Sequence, residues 1–233
     1  MCFKCSNVMH LIKKFSCPYC DYSEVVSGRE YNNLWSQSGY STFVCNKCNR
    51  LTETECREKV LDTDIIEGKI KSVSKWKIID AICLWCGTND LSKWDRSEPI
   101  CPKCGSGMNE GSHEFTSIRY LTFDNINEFI FSKKIFVLFV TSNQCAPCFV
   151  RLPIFEELAV ELSNMYIGIL EFGVYVTDDK QSIYEYFEPF HTIETIPSIV
   201  LFYSGRFVGF IDKNINKPIL SSKLEKIIKT ILN

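Results

Sequence analysis

The chain has 233 residues, of which 45% are hydrophobic, and its formal net charge at pH 7 is −2. This length accommodates two modest domains or one large one, and the near-neutral charge gives no general reason to expect a nucleic-acid partner. The longest strongly apolar run, IFVLFV at residues 135–140, is too short to cross a bilayer, and the N-terminus lacks the basic segment and apolar core of a secretory signal. We therefore expect a cytoplasmic protein with no membrane partner.

Cysteine is the most informative residue type in this chain. Twelve of the thirteen cysteines form six Cys-x-x-Cys pairs, and Cys56, the odd one, is predicted to be a free thiol. Without an export signal, this pattern indicates metal ligands or redox centres rather than a disulfide scaffold. Five pairs precede the Gly/Ser-rich segment at residues 105–114, which marks a composition boundary. We predict three units, at residues 1–60, 61–112 and 113–233.

The pair CPYC at residues 17–20 has the letters of a glutaredoxin active site. The next eight residues, DYSEVVSG, have no helical stripe and contain two adjacent valines, which favours a hairpin strand. A Thr-x-Pro loop at a suitable distance is also missing. We therefore predict a zinc knuckle at this position.

The first unit contains three knuckles, at residues 2–5, 17–20 and 45–48. Zinc takes four soft ligands in a tetrahedron, and each knuckle supplies two. The knuckle at 17–20 could pair with 45–48, as in a rubredoxin-like ribbon with a long finger, or with 2–5, a spacing common in small double ribbons. We favour the former, which leaves Cys2 and Cys5 spare or in an incomplete third site that His10 could join. The ligands predicted for the first zinc site are thus Cys17, Cys20, Cys45 and Cys48.

The second unit contains the knuckles CLWC at 83–86 and CPKC at 101–104. Fourteen residues separate them, close to the spacing of a zinc ribbon, and Gly105 permits the second turn. This predicts a second zinc site with the ligands Cys83, Cys86, Cys101 and Cys104. The four tryptophans are expected to form small apolar cores, and ribbons of this size depend on metal for folding.

The charge of the metal-binding half argues against nucleic acid. Residues 1–114 carry fifteen Lys or Arg and fifteen Asp or Glu, and two sites of four thiolates and one Zn²⁺ would each add about two negative charges. A protein that depends on phosphate contacts is expected to have a basic face. The locally basic segment at residues 69–77 is predicted to be a solvated strand, so nucleic-acid binding is not expected.

Beyond the boundary, apolar periodicity predicts the element order β-α-β-α-β-α-β-β-α. A capping box at residues 222–225 opens the last helix, and Ser204-Gly205-Arg206 joins the two strands of a hairpin. The elements before that last helix are strand 117–122, helix 124–132, strand 135–140, helix 147–162, strand 166–176, helix 182–187 and strands 198–203 and 207–211.

The pair CAPC at residues 145–148 differs from the others in its surroundings. It comes after a buried strand and a short loop, and a helix begins at once, so the Cys145 sulfur lies where free backbone N–H groups and the helix dipole stabilise a thiolate. Cys148 falls within the first helical turn, close enough for a short-range disulfide. Pro147 at the helix start costs no hydrogen bond.

These features resemble thioredoxin. Ala146-Pro147 fills the dipeptide between the cysteines, and Pro153 stands where the family kinks its active-site helix. Thr195-Ile196-Pro197-Ser198 resembles the loop whose proline is cis and faces the sulfurs, and SIVLFYSGR resembles the hairpin after that loop. The resemblance covers roughly residues 115–233 and implies an α/β thioredoxin fold behind a mostly β zinc-ribbon region.

The resemblance also implies roles for three residues. Cys145 would be the nucleophile that attacks a substrate disulfide, and Cys148 would resolve the mixed disulfide. Pro197, in a cis peptide bond, would present backbone to the bound substrate chain and keep metal ions off the thiols. The implied partners are protein disulfide substrates and an electron donor such as a thioredoxin reductase.

Three positions depart from the family pattern. Gln144 replaces the tryptophan before the first cysteine, Phe139 replaces the buried aspartate that helps proton transfer to the resolving thiol, and the glycine expected near Lys213 is missing. We therefore expect slower turnover, or a potential and partner range unlike those of a housekeeping thioredoxin.

The sequence thus predicts a cytosolic thiol–disulfide oxidoreductase whose zinc ribbons serve structure or partner recognition. Zinc-containing thioredoxins, with knuckles ahead of the redox domain, are a partial likeness, although this N-terminal region is longer. One alternative is a zinc-ribbon binding protein that uses the thioredoxin-like domain as a scaffold. Another is a redox-sensing chaperone that releases zinc on oxidation and exposes apolar surface.

Overall fold

The computed structural model describes residues 12–28, 31–33, 38–66, 69–143, 145–177, 187, 193, 195–212 and 216–233. We call residues 12–112 the N-terminal region and residues 113–233 the C-terminal region. None of the helices among these described residues has the length and apolar content needed to cross a membrane.

Within its described residues, the N-terminal region is built from strands. They are β1 (Lys13–Ser16), β2 (Ser23–Val26), β3 (Tyr31–Asn33), β4 (Ser38–Cys45), β5 (Leu51–Ile66), β6 (Lys69–Ile78), β7 (Leu91–Lys93) and β8 (Asn109–Ser112).

Two sheets organise these strands. The first has the order β2-β1-β8, so that the beginning and the end of the region pair with each other. The second has the order β3-β4-β5-β6, and β7 pairs with the end of β4. A small core of Phe15, Val26, Leu51, Trp94 and Met108 lies between them.

Two strands predicted in this region are confirmed, whereas the solvation predicted for the segment at 69–77 stays a prediction. The segment after the knuckle at 17–20 forms the hairpin strand β2, which pairs with β1. The basic segment at 69–77 lies in strand β6, whose pairing with β5 forms a ribbon that ends at Ile66 and Lys69.

The C-terminal region has one five-stranded sheet of order β13-β12-β10-β11-β9. Strands β9, β10 and β11 are mutually parallel, whereas β12 runs antiparallel to β10 and β13. Its elements are β9 (Arg119–Leu121), α1 (Ile126–Ile130), β10 (Ile135–Ser142), α2 (Ala146–Met165), β11 (Leu170–Thr177), β12 (Ser198–Tyr203), β13 (Arg206–Asp212) and α3 (Lys217–Leu232).

Strand β10 is apolar from Ile135 to Val140 because both faces of the sheet are covered. Ile135, Val137 and Phe139 pack in the core that contains α2 and α3. The alternate residues of the strand pack in the core that contains α1. Successive side chains of a strand point to opposite faces, so a strand buried on both faces shows a continuous apolar run.

Two predicted boundaries were wrong. Strand β11 begins at Leu170 because Tyr166 to Ile169 form a turn, with Gly168 at φ 75°. Helix α3 begins at Lys217 because the side chain of Asn216 accepts a hydrogen bond from the amide of Ile219, which caps the helix there. The proposed capping box at 222–225 therefore lies inside the helix. Apart from Phe187, the predicted helix at 182–187 lies outside the described residues.

Candidate functional site

Four of the Cys-x-x-Cys pairs adopt the same tight turn. In each, the backbone amide of the first cysteine donates to the carbonyl oxygen five residues on, at 2.7 to 2.9 Å. The chain then leaves three of these turns through a residue with positive φ, which glycine and asparagine tolerate best. These residues are Asn49, Gly87 and Gly105.

The turns bring the eight predicted ligands into two clusters, within each of which all four sulfurs lie within 4.8 Å of one another. In the first, the sulfur of Cys17 lies 3.4 Å from that of Cys104, and Cys20 lies 3.7 Å from Cys101. In the second, Cys45 lies 3.5 Å from Cys86, and Cys48 lies 3.8 Å from Cys83.

The predicted pairing of the knuckles is therefore wrong. Each cluster takes one knuckle from residues 1–60 and one from residues 61–112, so neither predicted unit contains a complete site. Pairing of β1 with β8 brings the knuckle at 17–20 beside 101–104, and pairing of β4 with β7 brings 45–48 beside 83–86. The alternative involving Cys2 and Cys5, together with His10, lies outside the described residues.

The donor set of both clusters fits a tetrahedral metal. Zn–S bonds of about 2.3 Å imply sulfur–sulfur distances of about 3.8 Å around the ion, close to the distances found here. Hydrogen bonds from the backbone and side chain of Ser106 lower the pKa of Cys104 to about 6. Against a backbone hydrogen bond from Tyr22, burial and the neighbouring sulfurs raise the pKa of Cys20 to about 12. The clusters can thus hold one metal ion each.

The second cluster lies against the C-terminal region. The carbonyl oxygen of Leu84, inside the knuckle, accepts a hydrogen bond of 2.6 Å from the amide of Lys217 at the start of α3. The next residue, Trp85, packs its ring 3.4 Å from the guanidinium of Arg50. Arg50 in turn binds Glu24 at 2.7 Å and Glu157 of α2 at 2.6 Å.

Two of the four tryptophans have described side chains. Trp94 is buried and meets Phe15 edge-to-face, as a core residue should. Trp85 is also buried, but it lies at the contact between the two regions, which the sequence did not indicate. Trp35 lies outside the described residues, and only the backbone of Trp76 is described.

The sixth pair forms a disulfide between Cys145 and Cys148 at the start of α2. Cys145 is the N-cap residue in extended conformation, and its carbonyl oxygen accepts the amide of Cys148 at 3.0 Å. Pro147 is the second residue of the helix, where no intrahelical donor is needed. This arrangement places the pair at the positive end of the α2 helix dipole.

Pro197 comes from a different part of the chain but lies at the same edge of the sheet. The Ile196–Pro197 peptide bond is cis, and β12 begins at the next residue. Ser198 pairs with Val140, two residues before the end of β10. Because the Cys145 turn comes after the end of β10 and the Pro197 loop precedes β12, both turns are at one edge.

Phe139 lies beneath this site in the β10 strand. Its side chain is 2% exposed, and its ring centre lies 5.1 Å from that of Phe155. The position that the thioredoxin resemblance gives to an aspartate is therefore apolar and tightly packed. The other two departures, at Gln144 and Lys213, lie outside the described residues.

The disulfide is covered, which we did not predict from the sequence. Cys145 is 5% exposed and Cys148 1% exposed. Strands β3 and β5 of the N-terminal region contact α2, so the helix is packed between them and its own sheet. The sequence did contain a sign of this burial at residues 146–155, APCFVRLPIF. These ten residues lack the polar stripe that a helix with one solvent-exposed face has.

Similarity to known proteins identifies the family of this chain. No protein-family model matches the sequence. The chain is 33% identical over 102 residues to thioredoxin of Chlamydia pneumoniae, a match that spans 41% of this chain and 88% of that protein. The chain belongs to the thioredoxin family.

Membership of the thioredoxin family confirms the predicted fold class, with a sheet-rich N-terminal region that carries the cysteine clusters. Thioredoxin of Trypanosoma brucei brucei is 20% identical, with a TM-score of 0.41, over 50% of this chain and 95% of that one. The zinc-bound form of human ERp44 is 18% identical, also with a TM-score of 0.41, over 47% of this chain and 31% of that one.

Proposed function

We propose that this protein is a cytoplasmic thiol–disulfide oxidoreductase that acts on protein disulfides through Cys145 and Cys148. The observation that carries the proposal is the Cys145–Cys148 disulfide at the N-terminus of α2, at the same sheet edge as the cis-Pro197 loop. Residues 113–233 form the redox domain in this proposal, and the N-terminal region is a metal-binding domain docked on it.

The exchange begins from the reduced pair. The Cys145 thiolate attacks one sulfur of a substrate disulfide, the substrate S–S bond breaks, and the leaving sulfur departs as a thiolate that takes up a proton. Cys148 then loses its proton to water or to a leaving thiolate and attacks the Cys145 sulfur. The substrate leaves as a dithiol, and the enzyme keeps the disulfide.

Each cycle transfers two electrons from the enzyme dithiol to the substrate. Return to the reduced state consumes two electrons and two protons from a dithiol donor, such as the active-site dithiol of a thioredoxin reductase. Pro197 would present backbone to the substrate chain beside Cys145.

In this proposal each four-cysteine cluster holds one zinc ion. Zinc supplies no redox step, and when bound it cross-links the two knuckles of its cluster. The ligands are Cys17, Cys20, Cys101 and Cys104 in one site, and Cys45, Cys48, Cys83 and Cys86 in the other. Elemental analysis of purified protein should give two zinc ions per chain and no iron; iron is the other metal that favours four thiolates.

Reduction of insulin disulfides in the presence of dithiothreitol tests the redox proposal. Wild type should accelerate the reaction, and Cys145→Ser should abolish the acceleration. Cys148→Ser should keep the nucleophile and trap a mixed disulfide with the substrate. If wild type and Cys145→Ser behave alike in protein with full metal content, the redox proposal fails.

A binding protein with a thioredoxin-like scaffold is the second candidate. The observation that favours it is the 5% exposure of Cys145, since a substrate cannot reach that sulfur unless the groups packed around it move away. Equal insulin reduction by wild type and Cys145→Ser would support this scaffold function.

A further inference from the structure

Arg151 is the one charged residue in the buried start of α2. The other nine residues at 146–155 are buried, and Arg151 is half-buried. Burial lowers the pKa of Arg151, yet an arginine keeps its charge at any pH at which proteins are folded. A guanidinium in this position needs polar partners, because an unpaired buried charge is costly.

Both regions of the protein supply these partners. One guanidinium nitrogen donates to the carbonyl oxygen of Pro147 at 2.9 Å. The hydroxyl of Tyr40, on β4, is a hydrogen-bond partner of the same guanidinium. Burial and the charge of Glu55 raise the pKa of Tyr40 to about 12, so the hydroxyl stays neutral.

The sheet pairing explains why these groups meet. Tyr40 and Glu55 are directly paired in the β4–β5 ladder, and directly paired residues share a face. That face contacts α2, because Glu55 acts electrostatically on Arg151 and β5 packs on the helix. Arg57, the charged residue two positions after Glu55 on β5, lies against Gly39 of β4.

The Pro147 carbonyl that Arg151 contacts belongs to the dipeptide between the two cysteines. Opposite charge within a few ångströms lowers a thiol pKa, and a helix N-terminus acts in the same direction. Among the described residues, Phe139 of β10 occupies the position where the thioredoxin resemblance places the carboxylate that accepts the proton of the second thiol. Stabilising the thiolate directly is a way to make Cys148 reactive near neutral pH without such a carboxylate.

We propose that Arg151 is a positioning residue of the redox site, which stabilises the thiolates of the reduced Cys145–Cys148 pair, and that Tyr40 of the N-terminal region holds it there. This inference rests on the proposed redox function and deepens it. Arg151 takes no proton; the Cys148 proton still leaves to water or to the leaving thiolate. The N-terminal region thereby contributes to the reactivity of a cysteine pair that it does not itself contain.

The groups that face this charge come from several elements. Among the described residues they are Tyr40 on β4, Glu55 on β5 and the Pro147 carbonyl of α2. Glu24 on β2 faces Arg50 and Glu157 instead. On β10, Phe139 has no charge.

The test is the pH profile of iodoacetamide alkylation of the reduced, metal-loaded full chain, with mass spectrometry at Cys145 and Cys148 as the readout. Arg151→Met should raise the apparent thiol pKa by about one unit, which gives about tenfold slower alkylation at pH values below the wild-type pKa. The rate at high pH should be unchanged. Arg151→Lys should restore most of the shift, and Tyr40→Phe should show a smaller shift in the same direction.

Arg119→Met is the matched control, because Arg119 is exposed on β9 and contacts Phe129 rather than the redox turn. Its profile should equal that of wild type. Should Arg151→Met fold poorly, Arg151→Lys and Tyr40→Phe still decide the question. Melting temperatures that fall while all profiles stay at the wild-type pKa would overturn the proposal and leave Arg151 a structural residue.

The two proposals fail in different ways. Wild type that does not reduce insulin refutes the redox function even if the alkylation profile responds to Arg151. If wild type reduces insulin but Arg151→Met and Tyr40→Phe do not change the alkylation pH profile, the redox function stands and the role of Arg151 is refuted.

Discussion

The backbone amide of Lys217 donates a hydrogen bond to the carbonyl oxygen of Leu84 across 2.6 Å. Leu84 lies inside a cysteine knuckle, and Lys217 is the first residue of α3. The side chain of Lys217 also binds Glu161 of α2 at 2.6 Å. One residue thus connects a four-cysteine cluster to both long helices of the thioredoxin fold.

Gly87 should tolerate a side chain poorly because the knuckle lies against the start of α3. Its φ is 79°, and an added Cβ would lie 2.7 Å from Nδ2, the side-chain amide nitrogen of Asn216. Gly105 occupies the equivalent turn position in another knuckle, at φ 76°, with nothing within 4 Å of an added Cβ. Gly105→Ala should cost about 1 kcal/mol of unfolding free energy from backbone strain, and Gly87→Ala up to about 1 kcal/mol more, because the Asn216 side chain must move from its capping position.

Urea unfolding of the metal-loaded variants measures this difference. Asn216→Ser keeps a capping oxygen but removes the amide group, so it should recover part of the Gly87→Ala loss. Equal costs at the two glycines would show that the knuckle and α3 do not constrain each other.

Arg50 should hold the N-terminal region on α2. Arg50→Met leaves Glu24, which is 6% exposed, without its cation, and we expect a loss of about 2–4 kcal/mol in unfolding free energy. Alkylation of reduced Cys145 should also become at least about fivefold faster, because local opening of the cover becomes easier. Lys134→Met, which removes the pair of Lys134 with Glu171 in the C-terminal region, should cost less than about 1 kcal/mol and leave alkylation unchanged. Unchanged alkylation in Arg50→Met would contradict a role of this ion pair in covering the site.

Stability in acid should depend on Glu157. Burial alone would raise its pKa, but hydrogen bonds from Arg50 and Lys217 hold the pKa of Glu157 below its ordinary value. Because the folded-state pKa is depressed, the stabilisation is present above the unfolded pKa of about 4.3 and disappears as pH falls through the lower folded value.

Glu157→Gln should therefore be less stable than wild type at pH 6–7, and the difference should vanish by about pH 3. Burial raises the pKa of nearby Glu24, so the contribution of Glu24 to stability changes with pH in the opposite direction. Because Glu24 is present in both proteins, the difference in stability between wild type and Glu157→Gln is the quantity to measure. Urea midpoints across pH 3–7 provide it. A difference that does not change with pH would contradict the ion-pair explanation.

The interleaved cysteine pairing predicts how metal is lost in combined variants. Cys17→Ser and Cys101→Ser belong to one cluster, so together they should cost one of the two proposed metal ions. Cys17→Ser with Cys83→Ser should cost both. Cys56→Ser should cost neither, because that thiol contacts Gly39 and Ser41 outside both clusters. Elemental analysis counts the metals, and loss of both in the first pair would restore the sequential pairing.

Local chemistry was predictable from the sequence. The spacing of two residues between cysteines determines a turn with both sulfurs on one side, so the eight cysteines of the two clusters could be selected from the sequence. The apolar run at 135–140 and the hairpin at Ser204 and Gly205 result from side-chain alternation and turn preference in the same way. Each depends on neighbours within a few positions along the chain.

The pairing of the knuckles was not predictable, because it depends on strands separated by most of the N-terminal region. The knuckle spacings within residues 1–60 and within 61–112 each suited a separate ribbon. Which one forms is decided by backbone pairing of β1 with β8 and of β4 with β7. The start of α3 escaped prediction for a related reason, since Asn216 caps the helix where Gly87 and Leu84 pack against it.

By itself, the sequence determined which cysteines could bind metal, which pair could form a disulfide at a helix start, and the thioredoxin family. Only the tertiary structure decided that the clusters interleave, that Cys145 is covered, and that Arg151 lies between Tyr40 and the redox turn. The physical reason is that a turn is stabilised by hydrogen bonds within five residues. Burial and ion pairing, in contrast, depend on surfaces that meet only after the two regions have folded against each other.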